Sequence, residues 1–331
     1  MSQTRYLLKR AGLTVVALYI VATLLFLLFR LAPGDPATAI LDPSMTEEMQ
    51  ETLRARYGLD EPLYVQYYHY MVNLTTGEFG VSFFRNEPVG GLLFDAGLNT
   101  VVLMIPSVVL AFVIGTSLGV LLAWNKDSGS DTGGIAAVLL LYAAPAFWTG
   151  MVAIMIFAFH LGWLPSGGMH PPDFRYETTM EKFLTTEFLR HLILPLTVQT
   201  LFFMAIPTLI MRNSLVEVLD SDFIEINRAQ GLSDFSIRYK HAARNALLPV
   251  LHYAAIAIGF AFGGSVVIET VFSWPGVGRL MWQAVLNHDY PLAQGAFIVL
   301  AAMIMIMNFI ADLISVYIDP RAASETTEVE R

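Results

Sequence analysis

The chain has 331 residues, of which 55% are hydrophobic and 14% are charged. Soluble domains carry about 25% charged residues, so this composition excludes an ordinary soluble domain and predicts that a lipid bilayer surrounds most of the chain. The formal net charge of −9 disfavours nucleic-acid binding, which needs basic surfaces. The absence of cysteine excludes a disulfide framework and thiolate metal ligands.

Six stretches are apolar over roughly the 20 residues that a membrane span requires. They lie at about 11–29, 99–124, 134–160, 191–211, 249–268 and 293–318. The first follows the basic segment RYLLKR, as a signal peptide would. Its apolar run exceeds the roughly 7–15 residues of a signal-peptide core, and no small-residue cleavage site follows, so it predicts a retained anchor. The sequence therefore predicts an all-α integral membrane protein with six transmembrane helices.

The distribution of Lys and Arg predicts the orientation of these spans. The two tails and the segments 125–133 and 212–248 share one side and hold 11 of these residues, against 8 on the other side. Basic residues near the ends of spans favour the cytoplasmic side. We therefore expect a multi-pass protein of the cell membrane, plasma or inner, with both termini in the cytoplasm.

The spans divide the chain into four parts. We expect a cytoplasmic tail with the first helix (1–30), an extracytoplasmic subdomain (31–98), a five-helix core (99–318) and a cytoplasmic tail (319–331). A cytoplasmic loop at about 214–248 separates the fourth and fifth spans.

The subdomain 31–98 is an acidic insert between the first two spans. It holds ten acidic and three basic residues. The stretch TEEMQETLRARYGL predicts a short helix capped by Thr46 and ended by Gly58. The aromatic stretch EPLYVQYYHYMVNL is typical of a segment at the membrane interface.

The segment DFIEINRAQGLSDFSIRYKHAARNALLPV (222–250) is polar, although strongly apolar stretches lie on both sides of it. Asp222 and Glu225 have the spacing of a capping box, which predicts a helix over about 223–230. Gly231 then falls at the position where a left-handed residue ends a helix.

A second helix is predicted to follow, with Ser233 as its cap and Pro249 at its end. Phe223, Ile224 and Ile226 give the first helix a partly apolar surface. Two interpretations of the pair fit this pattern. One is an amphipathic linker at the membrane surface, and the other is a docking element that enters a groove on a partner.

The residues EINRAQGLSDFSIRYKHAARNALLPV resemble the cytoplasmic EAA loop of ABC-importer permeases. They are most similar to the branch that imports dipeptides, oligopeptides and, in some members, nickel. Glu225 and Gly231 occupy the glutamate and glycine positions of that motif. Ile226 and Asn227 stand where alanines are usual, so this copy departs from the short consensus.

Four further segments resemble the same family, in the family's order and spacing. They are FRLAPGDP (29–36), YGLDEPLYVQYYHYMVNLTTGEFGVSF (57–83), ETVFSWPGVGRLMWQAVLNHDYPLAQG (269–295) and ADLISVYIDPR (311–321). Together with the loop segment they are spread along the chain from residue 29 to residue 321, so the resemblance extends over most of its length.

The resemblance implies a permease that pairs with a second, homologous permease to form one pathway. Two ATPase subunits would bind the cytoplasmic loops, and an extracytoplasmic binding protein would deliver the substrate. ATP and Mg would lie on the ATPases, and this chain would bind no cofactor. The residues expected to couple to the ATPase are Asp222, Phe223, Ile224, Glu225, Arg228, Ala229, Gly231 and Leu232.

Other features predict packing or structure. GTSLG (115–119) and GFAFG (259–263) are small-xxx-small patterns that favour close helix approach. Asn308 and Asp312 share one helical face in the last span and are candidates for a pathway or inter-subunit role. Prolines within the predicted spans allow kinks or unwound turns; they are Pro106, Pro145, Pro195 and Pro207.

Two other classes of function find less support in the sequence. A self-sufficient secondary transporter needs mid-span carboxylates for a coupling ion, and an intramembrane enzyme needs a nucleophile or metal cluster inside the spans. No Walker lysine motif, HExxH pattern or nucleophile elbow is present, so we expect no catalysis and no metal site in this chain. Within the family, peptides, a nickel complex, glutathione and oligosaccharides remain open as substrates.

Overall fold

The computed structural model describes residues 3–31, 60–176 and 178–318, which form helices joined by short connections. The helices are α1 (Gln3–Leu31), α2 (Leu63–Thr76), α3 (Val89–Trp124), α4 (Gly129–Ala143), α5 (Ala146–Ala153, continued by a π-helical segment Ile154–His160), α6 (Thr179–Phe183), α7 (Thr186–Leu219), α8 (Asp222–Ala229), α9 (Ala243–Ala246, preceded by a π-helical segment Ser236–Ala242), α10 (Leu248–Val271), α11 (Val277–Leu286) and α12 (Tyr290–Ile318).

The centre of the molecule is the contact between α3 and α7, which run against each other over most of their lengths. Gly115 and Gly119 make this possible. A Cβ atom on Gly115 would lie 2.6 Å from the Met204 carbonyl oxygen, and one on Gly119 would lie 2.6 Å from the Thr208 carbonyl oxygen. The predicted packing role of the GTSLG pattern is therefore confirmed.

A second group of helices packs around α12, which contacts α1, α10 and α11. The start of α3 joins this group, because Val89 and Leu93 are buried with Leu280 and Ala296 in one apolar cluster. This burial explains why α3 begins at Val89, well before the predicted start of the second span at 99.

The helix α7 is also longer than predicted, since it continues to Leu219. Leu215, which the sequence analysis placed in the cytoplasmic loop, is fully buried near the end of this helix. The polar segment between the fourth and fifth spans therefore begins at Asp220 rather than at about 214. Pro106, Pro195 and Pro207 all lie inside continuous helices.

The third predicted span, 134–160, is broken rather than continuous. The axes of Gly129–Ala143 and Ala146–His160 are bent by 99°. Ala144 and Pro145 have extended backbones between them, with ψ angles of 129° and 131°. Proline lacks an N–H and disfavours a helical conformation at the residue before it, so Pro145 is the physical cause of the break.

Among the described residues, four helices are long and apolar enough to cross a membrane, and the bent pair would make a fifth. The four long apolar helices lie within α1, α3, α7 and α12. The predicted fifth span, 249–268, falls within α10. Part of it, including most of GFAFG, lies outside the residues whose side chains are described.

The insert after α1 is described from Asp60 onward. Its helix α2 lies against α1, where the Tyr67 hydroxyl is 2.8 Å from Thr23 Oγ1 and the Phe26 and Tyr67 rings meet edge to face. Tyr70 donates a hydrogen bond to the Ala22 carbonyl, and burial raises the pKa of its phenol. The predicted helix between Thr46 and Gly58 and the tail 319–331 lie outside the described residues.

Candidate functional site

The helix α8 begins one residue earlier than the capping-box pattern predicts. Ser221 is its N-cap residue, and the Ser221 hydroxyl donates to the Val218 carbonyl instead of accepting from α8. The assignment of Asp222 as the cap is therefore wrong, because Asp222 is the first helical residue. Asp222 and Glu225 still stabilise the first turn, and Arg228 the last turn, through the helix dipole.

The end of α8 is the glycine turn that the sequence predicts. Gly231 has a left-handed backbone with φ of +77°. The Leu232 N–H donates to the Asn227 carbonyl at 3.2 Å, and the Gly231 N–H donates to the Arg228 carbonyl at 3.0 Å. These two bonds define a Schellman motif, which sets the direction in which the chain leaves the helix.

The segment after this turn forms the second helical arm. The Ser236 N–H donates to Ser233 Oγ at 3.3 Å, which confirms Ser233 as the cap. The arm is π-helical over Ser236–Ala242, a feature that the sequence analysis missed. Pro249 then stands in the first turn of the next helix, which starts at Leu248.

The two arms are fixed to the helical bundle by one isoleucine each. Ile224 and Ile237 are both 0% exposed. They lie in an apolar cluster with residues at the adjoining ends of α3 and α7, namely Val120, Ala123, Met211 and Leu215. Ile224 was expected to contact the ATPase, but it faces the interior of this chain. Its side chain therefore anchors α8 and is not part of the outer surface.

The outer surface of the two arms is partly apolar. Phe223 is 37% exposed, Ile226 56%, Phe235 73% and Tyr239 40%. The Phe235 and Tyr239 rings contact each other at a centroid distance of 4.9 Å. We call these four residues the apolar face.

The other residues predicted to couple lie around the apolar face. Leu232 is half-buried beside the anchoring cluster, and the remainder are exposed: Asp222, Glu225, Arg228, Ala229 and Gly231. Phe235 and Tyr239 were missed, although their spacing of four residues in a predicted helix could have indicated a shared face.

Polar contacts near α8 hold the same end of the bundle together. The Arg238 guanidinium lies 4.3 Å from the centroid of the Trp124 ring, so the second arm is attached to the last residue of α3. Lys126 forms a salt bridge of 3.5 Å with Asp220. Neither pairing was predicted, because both join residues far apart in sequence.

The two polar residues singled out in the last span have different surroundings. Asp312 forms a salt bridge with Arg10 of α1, with an Nε–Oδ2 distance of 3.1 Å. Asn308 is exposed on α12. The structure therefore assigns Asp312 a contact within the chain and does not bring Asn308 into it.

The fold and this site define a multi-pass helical membrane protein with a two-armed polar element at one end of its bundle. The sequence matches two family descriptions: "Binding-protein-dependent transport system inner membrane component" over residues 115–324, and the N-terminal part of such components over residues 3–104. The chain belongs to this family of ABC-importer permeases.

Its relatives span nearly the same length. It is 35% identical over 317 residues to the oligopeptide transport system permease protein AppB of Bacillus subtilis (strain 168), covering 96% of this chain and 98% of AppB. It is 35% identical over 327 residues to the dipeptide transport system permease protein DppB of Alkalihalophilus pseudofirmus, with the same coverage of 96% and 98%.

A solved structure shares the fold. It shows inward-facing conformations of the MetNI methionine ABC transporter, and its matching chain has a TM-score of 0.52 and 19% sequence identity. The match covers 70% of this chain and 96% of that one. At this identity the likeness concerns the fold alone.

Proposed function

We propose that the chain is the permease subunit of an ATP-driven importer and forms half of a pathway for di- or oligopeptides. An extracytoplasmic binding protein delivers the peptide, and a second, homologous permease forms the other half. Two ATPase subunits bind and hydrolyse ATP with Mg, so this chain has no catalytic role of its own. The observation that carries the proposal is the form of α8, which is anchored on one side and apolar and exposed on the other.

The family and the relatives support the reaction and the substrate class. AppB and DppB are named as oligopeptide and dipeptide permeases and match almost end to end. Peptides are therefore the substrates to test first, with a nickel complex as the alternative.

The geometry of α8 supports a mechanical role. The buried Ile224 joins the helix to the ends of α3 and α7, while Phe223 and Ile226 stay available to a groove on an ATPase. The Schellman turn at Gly231 fixes the angle between the two arms. When ATP binding moves the ATPase groove, α8 transfers the movement to α3 and α7 as a rigid element.

We place this end of the bundle and both termini in the cytoplasm. The basic residues near α8, among them Arg212, Arg228 and Arg238, favour that side. With the bent pair α4–α5 and α10 each counted as a span, the chain crosses the membrane six times.

The test is purification of the tagged chain from its own cells, followed by transport measurements in proteoliposomes. An ATPase should co-purify, and radiolabelled trialanine should accumulate in the presence of the binding protein and ATP. Uptake should stop when ATP is replaced by ADP. Accumulation of Ni²⁺ instead of trialanine would overturn the substrate class. Uphill transport by the purified chain with no ATPase would overturn the mechanism.

A further inference from the structure

The end of the bundle opposite α8 contains a polar cavity of about 380 Å³. Its lining brings together four charged side chains from separate elements, Arg85, Asp95, Lys182 and Arg279, with the polar Asn99 and His170. Asn99 lies near the start of α3, whereas Ala123 lies at its other end beside α8. At 1.5 Å per helical residue, the cavity is roughly 36 Å from α8.

The cavity carries an excess of positive charge. Three of its side chains are cationic and one, Asp95, is a carboxylate. Lys182 is 5% exposed, and burial lowers its pKa, an effect that Asp95 opposes. Burial also lowers the pKa of Arg279. A buried cation is stable only when an anion or hydrogen-bond acceptors compensate for the lost water.

Lys182 forms no direct salt bridge within the described part of the chain, although the Asp95 carboxylate lies near enough to act on its charge. Its ammonium group lies 5.6 Å from the Tyr176 ring centroid and 5.2 Å from that of Phe183, and it forms no salt bridge with a described residue. Cation–π contacts compensate only part of the cost of burial. The cavity wall therefore presents a buried ammonium group that no described carboxylate contacts directly.

The α3 wall of the cavity offers hydrogen-bond acceptors. Asn99 is 4% exposed, and its Nδ2 donates to the Pro275 carbonyl at 2.8 Å. Its Oδ1 has no hydrogen-bond partner among the described residues. A buried carbonyl oxygen without a donor is costly, so a ligand N–H would stabilise this site. The Asp95 carboxylate adds a negative charge near the same stretch of α3.

The walls are held in place by bonds that do not involve a ligand. The Trp274 indole donates to the Asn99 carbonyl at 2.9 Å, and the Thr100 hydroxyl donates to the buried Glu269 carboxylate at 2.7 Å. The Arg279 N–H donates to the same carboxylate at 2.9 Å. The cavity is thus preformed, which lowers the entropic cost of binding a ligand.

We propose that this cavity binds the termini of a short peptide, with its carboxylate at Lys182 and Arg279 and its amino group at Asn99 and Asp95. This inference rests on the proposed import of peptides and adds where the permease itself recognises them. A volume of about 380 Å³ suits a ligand of a few residues, with Met169 and Leu280 as the apolar part of the lining.

The test measures equilibrium binding of radiolabelled trialanine to the detergent-purified permease with its co-purifying subunits, in the absence of binding protein. Trialanine amide, which lacks the carboxylate, serves as the matched competitor. Loss of one charge-assisted contact weakens binding by about tenfold or more. We therefore expect the amide to compete at least about tenfold more weakly than free trialanine.

The variant Lys182→Met removes the charge but keeps the length of the side chain. We expect it to reduce trialanine affinity about tenfold or more and to abolish the preference over the amide. Lys182→Arg should retain the preference for free trialanine over trialanine amide. The matched control is Arg190→Gln, an exposed cation outside the cavity, which should bind as the wild type does.

Equal competition by the amide, or an unchanged preference in Lys182→Met, would overturn the proposal, as would a wild-type protein that binds neither peptide. Because the comparison of the two peptides on the wild-type protein needs no substitution, a variant that fails to fold does not affect it. ATP-dependent uptake of trialanine by the complete transporter, measured in parallel, keeps this failure distinct from a failure of the proposed function.

Discussion

The guanidinium group of Arg212 donates two hydrogen bonds to the carboxylate of Asp131, from Nη2 at 2.6 Å and from Nε at 3.2 Å. The pair joins the first turn of α4 to α7 beside the cluster that anchors α8. The Asp131 side chain is only 3% exposed and that of Arg212 is 18% exposed. A bidentate pair shielded from water is far stronger than a surface ion pair.

The substitution Arg212→Met should therefore destabilise the protein by about 3–5 kcal/mol, because it leaves the buried Asp131 carboxylate unpaired. The measurement is thermal unfolding in detergent. The double variant with Asp131→Leu should recover most of the loss. The matched control is Lys126→Met, which breaks the exposed pair with Asp220 and should cost less than about 1 kcal/mol. Equal losses for the two single variants would contradict this expectation.

The turn at Gly231 supports a prediction about backbone conformation. A Cβ atom at Gly231 would meet no atom within 4 Å, so a substitution there acts through its φ of +77° alone. Gly231→Val should cost about 1–2 kcal/mol, displace the second arm and reduce ATP-dependent uptake at least tenfold. Gly231→Asn should retain most uptake, since asparagine tolerates left-handed conformations. Both variants should reach the membrane in normal amounts; equal uptake by the two would show that the turn has no role.

The two isoleucines of α8 should have different effects. Ile224→Ala leaves a cavity in a buried cluster and should destabilise the protein by about 2–4 kcal/mol. Ile226→Ala removes an exposed side chain and should change stability by less than about 0.5 kcal/mol. It should instead weaken the association with the ATPase, measured by co-purification. If Ile226→Ala left that association intact, the apolar face would not be the docking surface.

The close approach of α3 to α7 supports a prediction for Gly119, and a glycine elsewhere in the chain serves as the control. Gly119→Ala would place a Cβ atom 2.6 Å from the Thr208 backbone and force the helices apart. We expect a loss of about 1–3 kcal/mol in stability. Gly12→Ala, on a part of α1 with no atom within 4 Å, should be neutral or stabilising by up to about 1 kcal/mol. Thermal unfolding of the two variants compares them directly.

The imidazole of His170 should make stability depend on pH. Its ring stacks on Phe174 at a centroid distance of 4.4 Å, and burial lowers its pKa below the ordinary value. The unfolded chain therefore binds a proton near pH 6.5 that the folded chain binds only at lower pH, so stability falls as pH falls below about 6.5. The variant His170→Asn should lose less stability than the wild type as the pH falls below about 6.5. An identical pH profile in the variant would exclude this cause.

The sequence predicted the two arms and the turn between them because those features depend on neighbouring residues. The left-handed turn at Gly231 after α8 and the cap at Ser233 were found where local capping rules place them. The close approach at Gly115 and Gly119 followed from a four-residue spacing.

The sequence-based predictions failed where contacts between distant parts of the chain determine the structure. The helix α3 begins at Val89 because Val89 is buried against residues nearly two hundred positions away in the sequence. The pattern of neighbouring residues does not indicate that burial. Ile224 and Ile226 look alike in sequence, yet only the packing of α3 and α7 decides which of them is buried. The cavity at Lys182 and Arg279 was not predicted for the same reason, since its walls come from separate elements.

The length of α3 has a mechanical consequence. The helix is continuous over 36 residues, which corresponds to about 54 Å. A tilt of about 5° imposed at its Ala123 end would displace its other end by roughly 5 Å, a distance comparable to one helical turn. In the proposed importer, a lever of this length would convert a small movement at α8 into a displacement of the residues that line the far cavity, while it keeps its own helical hydrogen bonds.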